Sequence, residues 1–465
     1  MLDQSTLAPQ PAPSLPRVLG LFGAVMLTLS CITPTSSLFI IVPEVLAEQG
    51  SGAVIALVAG LVVSAGIAFC YAELGTLVPS SGGEYAMVTT VLGRFAGWVT
   101  FGLSASLLVV IPPIIALGTA DYLADLFTVD RALAGAVVML LATVFAVLDV
   151  RSNAFITGAF LAVEIIAAAV VAGFGFLNSE RDVSVLVSPV VPDGQGGLSA
   201  FSAGILMAGL TVTMFSFNGF GSAVYLTEEI KNPRRNVPRT VFWSLGLAGA
   251  IIIIPTAAAV LGVGSLDDLV NGTFPDYVRA WTSPGFAAMI NLGIAIAILN
   301  AVLVMALQNG RVIFASGRDR AWPEPVNRAL TKLHPKWGSP WVSTLAIGLP
   351  GALMAAVLNI EELLGVTSVI LTLVSLVIAV AAIRARSGGY RRAAAWRMPL
   401  WPVVPIAVIA ALLYALAEQD LTDLAVAGGI IAICSAYYFL YLRPRAASRW
   451  VVTAPEETTG QEDER

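Results

Sequence analysis

Two short polar stretches interrupt otherwise apolar parts of the chain and are the first candidates for chemistry. One is CITPTSS, residues 31–37, and the other is FSFNGFG, residues 215–221. Pro34 lacks an amide hydrogen and clashes with the preceding turn, so it breaks a helical hydrogen-bond ladder. Gly219 and Gly221 also cost helix stability. The ends of a broken helix expose amide hydrogens that attract anionic groups and carbonyl oxygens that attract cations.

A lone carboxylate is the next candidate. Glu164 lies in FLAVEIIAAAVV, a segment that is apolar on both sides. An ionised carboxylate in such surroundings is costly and is usually functional. Glu164 is therefore predicted to bind and release a proton or to contact an amine. A structural acid held by hydrogen bonds is the alternative.

Three further acids sit at the ends of apolar segments. Glu73 ends one segment, while Glu228 and Glu229 end another beside Lys231 and Arg234. Because opposite charges are adjacent at these positions, we expect ion pairs or helix-end anchors at an inner gate.

Other kinds of site are excluded by residue types and spacing. The three cysteines lie in apolar segments without a CxxC pair, and the single histidine, His334, lies in a basic loop. The chain has no metal-ligand spacing, nucleophile elbow or phosphate-binding loop. We therefore expect no catalytic residue, no metal, no cofactor and no nucleic-acid partner, and the chain is not predicted to be an enzyme.

The composition indicates which elements position these residues. Hydrophobic residues make up 57% of the 465 and charged residues 12%, against roughly 25% charged in soluble domains. An all-α polytopic membrane protein is predicted, because apolar runs of about 20 residues recur along the chain. The twelve predicted spans lie near residues 18–42, 53–77, 97–121, 131–150, 154–177, 202–228, 240–264, 286–316, 341–358, 363–383, 398–417 and 423–442.

The basic residues predict an orientation. With the N-terminus in the cytoplasm, only Arg131, Arg181 and Arg279 of the 25 Lys and Arg residues fall in outer loops. Positive charge is retained on the cytoplasmic side, so both termini are predicted to be cytoplasmic and the protein to lie in the cell membrane. Residues 1–17 and 443–465 are predicted tails, the first disordered, and residue 446 onward is also predicted to be disordered. The transmembrane domain is predicted to cover 18–442.

The two polar stretches fall in spans one and six, the same position in two sets of five. Paired interrupted helices at matching positions indicate an inverted-repeat transporter. The predicted repeats are residues 18–177 and 202–383, followed by extra helices at 398–442. The alternative is that Gly, Ser and Pro at these positions only allow close helix packing.

Three segments resemble one known family. GFGSAVYLTEEIKNPRRNVPRT (219–240), YAELGTLVPSSGGEY (71–85) and NGRVIFASGRDRAWP (309–323) are similar to segments of the amino acid–polyamine–organocation (APC) superfamily of permeases, in the family's order. The resemblance implies two inverted five-helix repeats plus two helices, broken helices one and six, and alternating-access transport.

The resemblance also implies a substrate site. The family's cradle for the substrate carboxylate in helix one corresponds to Thr33, Thr35, Ser36 and Ser37. Its aromatic gate corresponds to Phe215. The break in helix six corresponds to Phe217, Asn218 and Gly219. Two features depart from the family pattern. ITPTSS contains no glycine, and Gly221 stands where many members carry a carboxylate.

These observations predict a secondary active transporter for a small amino acid or related amine. A proton is the expected coupling ion, with sodium as the alternative. An exchanger without ion coupling and a substrate sensor on the same fold are the alternative functions. The lipid bilayer is the other expected partner, and the sequence sets no oligomeric state.

Overall fold

The computed structural model describes residues 19–78, 83–123, 128–147, 150–192, 198–227, 230–387 and 395–450. Side chains are described for all of these except residues 150–159 and 198. Almost all of the regular structure is helical, and the only strands in the described ranges are β1 (Val190–Pro192) and β2 (Leu198–Ala200), which pair antiparallel.

The helices of the first half of the chain are listed in order. They are α1 (Leu21–Ile32), α2 (Pro34–Ser36), a π-helical turn (Ser37–Ile41), α3 (Val42–Gln49), a 3₁₀ turn (Gly50–Gly52), α4 (Ala53–Leu77), α5 (Gly83–Leu92), α6 (Arg94–Leu117), α7 (Thr119–Leu123), α8 (Arg131–Val147), α9 (Val150–Leu177) and a 3₁₀ turn (Val183–Leu186).

The helices of the second half follow. They are α10 (Ala203–Ala208), α11 (Leu210–Phe215), α12 (Ser222–Tyr225), α13 (Pro233–Gly262), α14 (Leu266–Asn271), α15 (Phe274–Trp281), α16 (Pro284–Arg318), α17 (Glu324–Leu330), α18 (Trp341–Val357), α19 (Ile360–Ala385), α20 (Val403–Ala417), α21 (Leu421–Tyr437), a π-helical turn (Tyr438–Leu442) and a 3₁₀ turn (Arg443–Arg445).

The predicted all-α membrane architecture is confirmed. In the described part of the chain, seven helical runs are long and apolar enough to cross a membrane, and the run Leu21–Leu77 contains both of the first two predicted spans. Three shorter apolar helices, α8, α18 and α20, coincide with spans four, nine and eleven. The sixth span is divided into α10, α11 and α12, each too short to cross alone.

Helix packing follows a two-fold pattern between the halves. Counted as membrane spans, helix one contains α1 and α2, helices two to five are α4, α6, α8 and α9, helix six contains α10, α11 and α12, and helices seven to ten are α13, α16, α18 and α19. If helices one to five correspond to six to ten, the contact of α1 with α13 has its counterpart in α11 with α4. The contact of α9 with α13 is matched by α19 with α4, and α6 with α19 by α16 with α9. These three pairs of helix contacts therefore correspond when the two halves are exchanged, as an inverted repeat requires.

The chain beyond the last span returns to the helix bundle. Trp450 is 1% exposed and its ring lies 5.0 Å from that of Trp98 and 5.2 Å from that of Phe101. The Arg94 guanidinium donates to the carbonyl oxygens of Arg449 and Trp450. The predicted disorder from residue 446 is therefore wrong for residues 446–450, because a large aromatic side chain buries apolar surface there. Residues 1–17 and 451–465 lie outside the described residues.

Candidate substrate site

Helix one breaks at a single residue in the left-handed conformation. Thr33 has φ 47° and ψ 56°, and α2 restarts at once with Pro34 as its first residue. An L-residue with a Cβ pays roughly 1–2 kcal/mol for this conformation, which is why glycine is common at such breaks. Thr33 thus takes the conformation of the missing glycine. Its side chain adds a hydroxyl group at the break.

Helix six breaks over six residues rather than one. The segment 216–221 forms successive turns between α11 and α12, with the Ser222 amide bonded to the Gly219 carbonyl oxygen at 2.9 Å. Gly219 has φ +112°, and a Cβ there would lie 2.8 Å from the Cys31 oxygen and 2.8 Å from the Ile32 Cα. The two breaks are therefore in backbone contact, and only glycine allows it.

A cavity of about 520 Å³ lies between the two breaks, and helices two, three, eight and ten also line it. This volume falls in the range of sites for small molecules. Near the breaks its polar groups are neutral, namely Cys31, Thr33, Ser37, Asn218, Ser222, Gln308 and Ser375. The charged side chains among its described lining residues are Glu84, Arg311 and Arg318, toward one end.

Some of the predicted site residues line the cavity, and the others are buried outside its lining. The cavity is lined by Thr33, Ser37, Phe215, Asn218 and Gly219. By contrast, Thr35, Ser36 and Phe217 are buried outside the lining, at 1%, 2% and 0% exposure.

Two lining residues of α16 donate hydrogen bonds across the cavity wall, and one of them replaces a missing backbone hydrogen bond. Pro112 in α6 has no amide hydrogen to give to Leu108, and Asn309 Nδ2 donates to the Leu108 carbonyl oxygen at 2.7 Å instead. Gln308 Nε2 lies 2.7 Å from Cys31 Sγ in helix one. Sequence reasoning missed Asn309. The unsatisfied carbonyl before Pro112 was the available signal.

Tyr71 explains why residue 221 carries no side chain. A Cβ on Gly221 would lie 2.7 Å from the Tyr71 ring, so a longer acid has no room. The Tyr71 hydroxyl donates to Glu84 Oε1 at 3.1 Å, and the Tyr225 hydroxyl donates to Glu84 Oε2. The cavity therefore has its carboxylate on α5 instead of helix six, held by phenols from helix two and helix six.

Burial affects the charge of this carboxyl group. Glu84 lies on α5, outside the membrane-spanning helices, and desolvation raises the pKa of its carboxyl group above the usual 4.5. Its own backbone amide and Tyr71 donate hydrogen bonds that act in the opposite direction. The acid was missed from sequence because one of its two phenol partners, Tyr225, is 141 residues away in the chain.

Glu164 lies behind helix one, on the side away from the cavity lining. It is 3% exposed, and Asn300 Nδ2 donates to its Oε1 over a long 3.5 Å. Thr35 approaches the same carboxyl group, but its Oγ1 makes no hydrogen bond of normal geometry with a described residue. The Asn300 Oδ1 also has no described partner. Helices one, five and eight thus meet at a buried carboxyl group whose polar neighbours are incompletely bonded.

Glu73 forms a buried ion pair. Its Oε1 and Oε2 accept from Arg386 Nε at 2.6 Å and Nη2 at 2.7 Å, and Oε2 also accepts from the Met398 amide at 2.9 Å. Glu73 is 2% exposed. This pair ties the end of α4 to the end of α19. Glu228 and Glu229, the other predicted gate acids, lie outside the described residues.

An aromatic cluster surrounds Phe39, in the part of helix one beyond its break. The Phe39 ring meets those of Phe274 at 5.3 Å and Tyr122 at 5.8 Å, and the Tyr122 hydroxyl donates to the Phe39 carbonyl oxygen at 2.6 Å. All three side chains are at most 2% exposed. Phe39 belongs to helix one beyond its break, and the cluster packs this part of the helix against α7 and α15, outside the described lining of the cavity.

Comparison with known proteins provides an independent view of the whole chain. A family description of amino acid permeases matches residues 19–440. An uncharacterized transporter of Mycobacterium tuberculosis (strain ATCC 25618 / H37Rv) is 30% identical over 376 residues, covering 78% of this chain and 79% of the relative. A methylthioribose transporter of Bacillus subtilis (strain 168) is 25% identical over 457 residues, with 92% and 94% covered. A serine/threonine exchanger of the same organism is 26% identical over 428 residues, with 88% and 92% covered.

Proposed function

Because this chain belongs to the amino acid permease family, we propose that it is a secondary active transporter of a small neutral amino acid or related amine. The family consists of permeases, not enzymes. The contact between the two helix breaks, beside a cavity of about 520 Å³, is the observation that carries the proposal.

The chemistry of the cavity supports a zwitterionic substrate with an uncharged side chain. The cavity-lining hydroxyl groups of Thr33 and Ser37 can donate hydrogen bonds to a carboxylate, and carbonyls that end α1 receive an ammonium group. The described side chains near the breaks are hydroxyl, thiol and amide groups or apolar. A cationic or anionic side chain would therefore lose hydration there without an opposite charge to replace it.

Glu164 is the proposed proton site. A carboxyl group at 3% exposure is costly to ionise, and its contacts join helix one to helices five and eight. Movement of helix one during transport would change the distance to Thr35 and thus the affinity for a proton. Binding of the proton and movement of the substrate cradle are then linked. Sodium remains the alternative ion.

The orientation proposed from the arginine distribution places both termini and the Arg311–Arg318 end of the cavity in the cytoplasm. The protein would then lie in the cell membrane with the packed rings of Phe39, Tyr122 and Phe274 on its outer side. This arrangement corresponds to an inward-facing state. Outward opening would require these three aromatic side chains to separate.

Exchange without a driving ion is the second candidate function. It is favoured by the similarity to a serine/threonine exchanger, a relative that covers most of this chain. In exchange a second substrate molecule moves in the opposite direction, whereas in symport a proton moves in the same direction as the substrate. Both use the same cavity.

Uptake by purified protein in liposomes tests the proposal. A panel of labelled neutral amino acids, amines and methylthioribose should identify a substrate, with neutral amino acids expected to be taken up best. An inward proton gradient should accelerate uptake into empty vesicles, whereas a sodium gradient should have no effect.

Two results would contradict parts of the proposal. Uptake that requires preloaded internal amino acid and ignores the proton gradient would establish exchange in place of symport. Uptake of methylthioribose alone would refute an amino acid substrate. Protein-free liposomes and vesicles carrying the Gly219→Ala variant serve as controls.

A further inference from the structure

A second large cavity lies away from the substrate site, at the start of α13. It has a volume of about 970 Å³ and is lined by Arg234, Arg235, Arg239, Phe242, Trp243 and Trp396 among others. None of the described residues that line it is acidic. We call this cavity the basic groove.

The spacing along α13 builds the groove from one helix face. Residues 235, 239, 242 and 246 follow one another at intervals of four, three and four, which places them in one stripe of an α-helix. The stripe therefore changes from guanidinium groups at its start to an aromatic ring and then to Gly246. A Cβ added at Gly246 would meet nothing within 4 Å, so this end of the groove is open space.

The length of α13 indicates where the two ends of the basic groove lie relative to the bilayer. Its 30 residues span about 45 Å, whereas the hydrocarbon core of a bilayer is about 30 Å thick. The apolar end of the helix runs to Gly262, so the excess length falls at the arginine end, among the lipid headgroups. Trp243, at 61% exposure, then lies near the boundary where tryptophan is enriched.

Three aromatic rings that pack against one another support one wall of the basic groove. The Phe69 ring of α4 lies 4.8 Å from that of Phe242 and stacks on Trp396 at 6.0 Å, and Phe242 lies 5.8 Å from Trp396. Because each ring packs against the other two, the side chains of this wall are held in place without a ligand. Arg235 and Arg239 form no ion pair with any residue that the structure describes, and both are exposed.

We propose that the basic groove binds the headgroup of an anionic phospholipid of the cytoplasmic leaflet, with the start of an acyl chain against Trp243 and Gly246. The guanidinium groups match phosphate in charge and in bidentate geometry. Basic pockets beside membrane helices on the cytoplasmic side suit anionic headgroups. The side of the membrane rests on the proposed orientation, but lipid binding itself is independent of the proposed transport function.

Lipid-dependent stability of the purified full-length chain tests this proposal. In a neutral detergent, added phosphatidylglycerol should raise the melting temperature in a saturable way, and phosphatidylcholine with the same acyl chains should not. Glycerol phosphate and inorganic phosphate should also have no effect, because they lack the acyl chain. A shift produced equally by free phosphate would overturn the lipid assignment.

Two variants localise the effect to the groove. Replacing both exposed arginines, Arg235→Gln with Arg239→Gln, should raise the phosphatidylglycerol concentration for half-maximal stabilisation roughly twenty-five-fold, at about fivefold per surface arginine. Gly246→Leu should weaken the effect by filling the apolar end while leaving the charge unchanged.

Matched controls separate specific binding from general charge. Lys332→Gln with Lys336→Gln removes the same charge from another cytoplasmic loop, and Gly173→Leu adds the same side chain to another open helix position. Both controls should retain the wild-type response. Equal stabilisation by phosphatidylcholine, or a wild-type response in the double arginine variant, would refute the proposal.

Discussion

Gly219 of helix six lies directly against Ile32 of helix one, so that a Cβ on the glycine would be 2.8 Å from the Ile32 Cα. The two interrupted helices, nearly two hundred residues apart in sequence, thus meet through backbone at their breaks. This contact explains why helix six is interrupted by glycine in particular. It also defines the floor of the proposed substrate site.

Gly219→Ala should disrupt this contact. The φ of +112° disfavours any residue with a Cβ, and the added methyl group meets backbone atoms that cannot rotate away. We expect a loss of roughly 1–3 kcal/mol and strongly reduced uptake. The measurements are melting temperature and liposome uptake, with Gly173→Ala as the control at an open helix position. An alanine variant with wild-type uptake would show that the breaks do not need to touch.

Cys31 provides a chemical probe of the substrate cavity. It lines the cavity, whereas Cys70 is 0% exposed and Cys434 is not among the described lining residues. In a Cys434→Ser background, a small thiol reagent should inactivate uptake, and saturating substrate should slow inactivation several-fold. Cys31→Ser should abolish the sensitivity. Unchanged inactivation with bound substrate would place the substrate elsewhere.

Glu164→Gln should separate proton coupling from transport. The amide has the same shape as the acid but cannot release a proton, so exchange across the membrane should persist while proton-driven accumulation is lost. Glu418→Gln, at an exposed position between α20 and α21, is the control. The variant would refute the proposed coupling role if it still concentrated substrate in response to a proton gradient.

The buried pair of Glu73 with Arg386 should contribute to stability. Removing one partner of a buried pair typically costs about 3–5 kcal/mol, and the 19% exposure of the Arg386 side chain reduces the cost when Glu73 is the partner removed. Glu73→Gln should therefore lower the melting temperature clearly. The replacement of both partners, Glu73→Leu with Arg386→Met, should be less harmful than expected from the two single changes. Strictly additive losses would argue against the ion pair.

Glu84 should make stability depend on pH. Its pKa is raised in the folded protein by burial, so the folded state favours the protonated form. The stabilisation is complete below the usual pKa of 4.5 and is lost as pH rises through the higher folded value. Melting temperatures of the wild type should therefore fall relative to Glu84→Gln as pH increases from 4.5. Parallel pH profiles for the two proteins would contradict this interpretation.

The sequence alone was sufficient for the membrane architecture. Spans, their number and the interruptions in helices one and six depend on local properties, namely about 20 apolar residues in a row and the backbone chemistry of Pro34, Asn218 and Gly219. The matching positions of the two breaks predicted the inverted repeat in the same way. These properties act within one helix and can be read without knowledge of its neighbours.

Only the tertiary structure determined which side chains meet. The partner of Glu73 is 313 residues away, one phenol partner of Glu84 is 141 residues away, and the amide that satisfies Leu108 is 201 residues away. The structure also separates Thr33 and Ser37, which line the cavity, from Thr35, which faces Glu164 behind it. The physical reason is that these contacts depend on how helices pack and rotate against one another, which no single helix specifies.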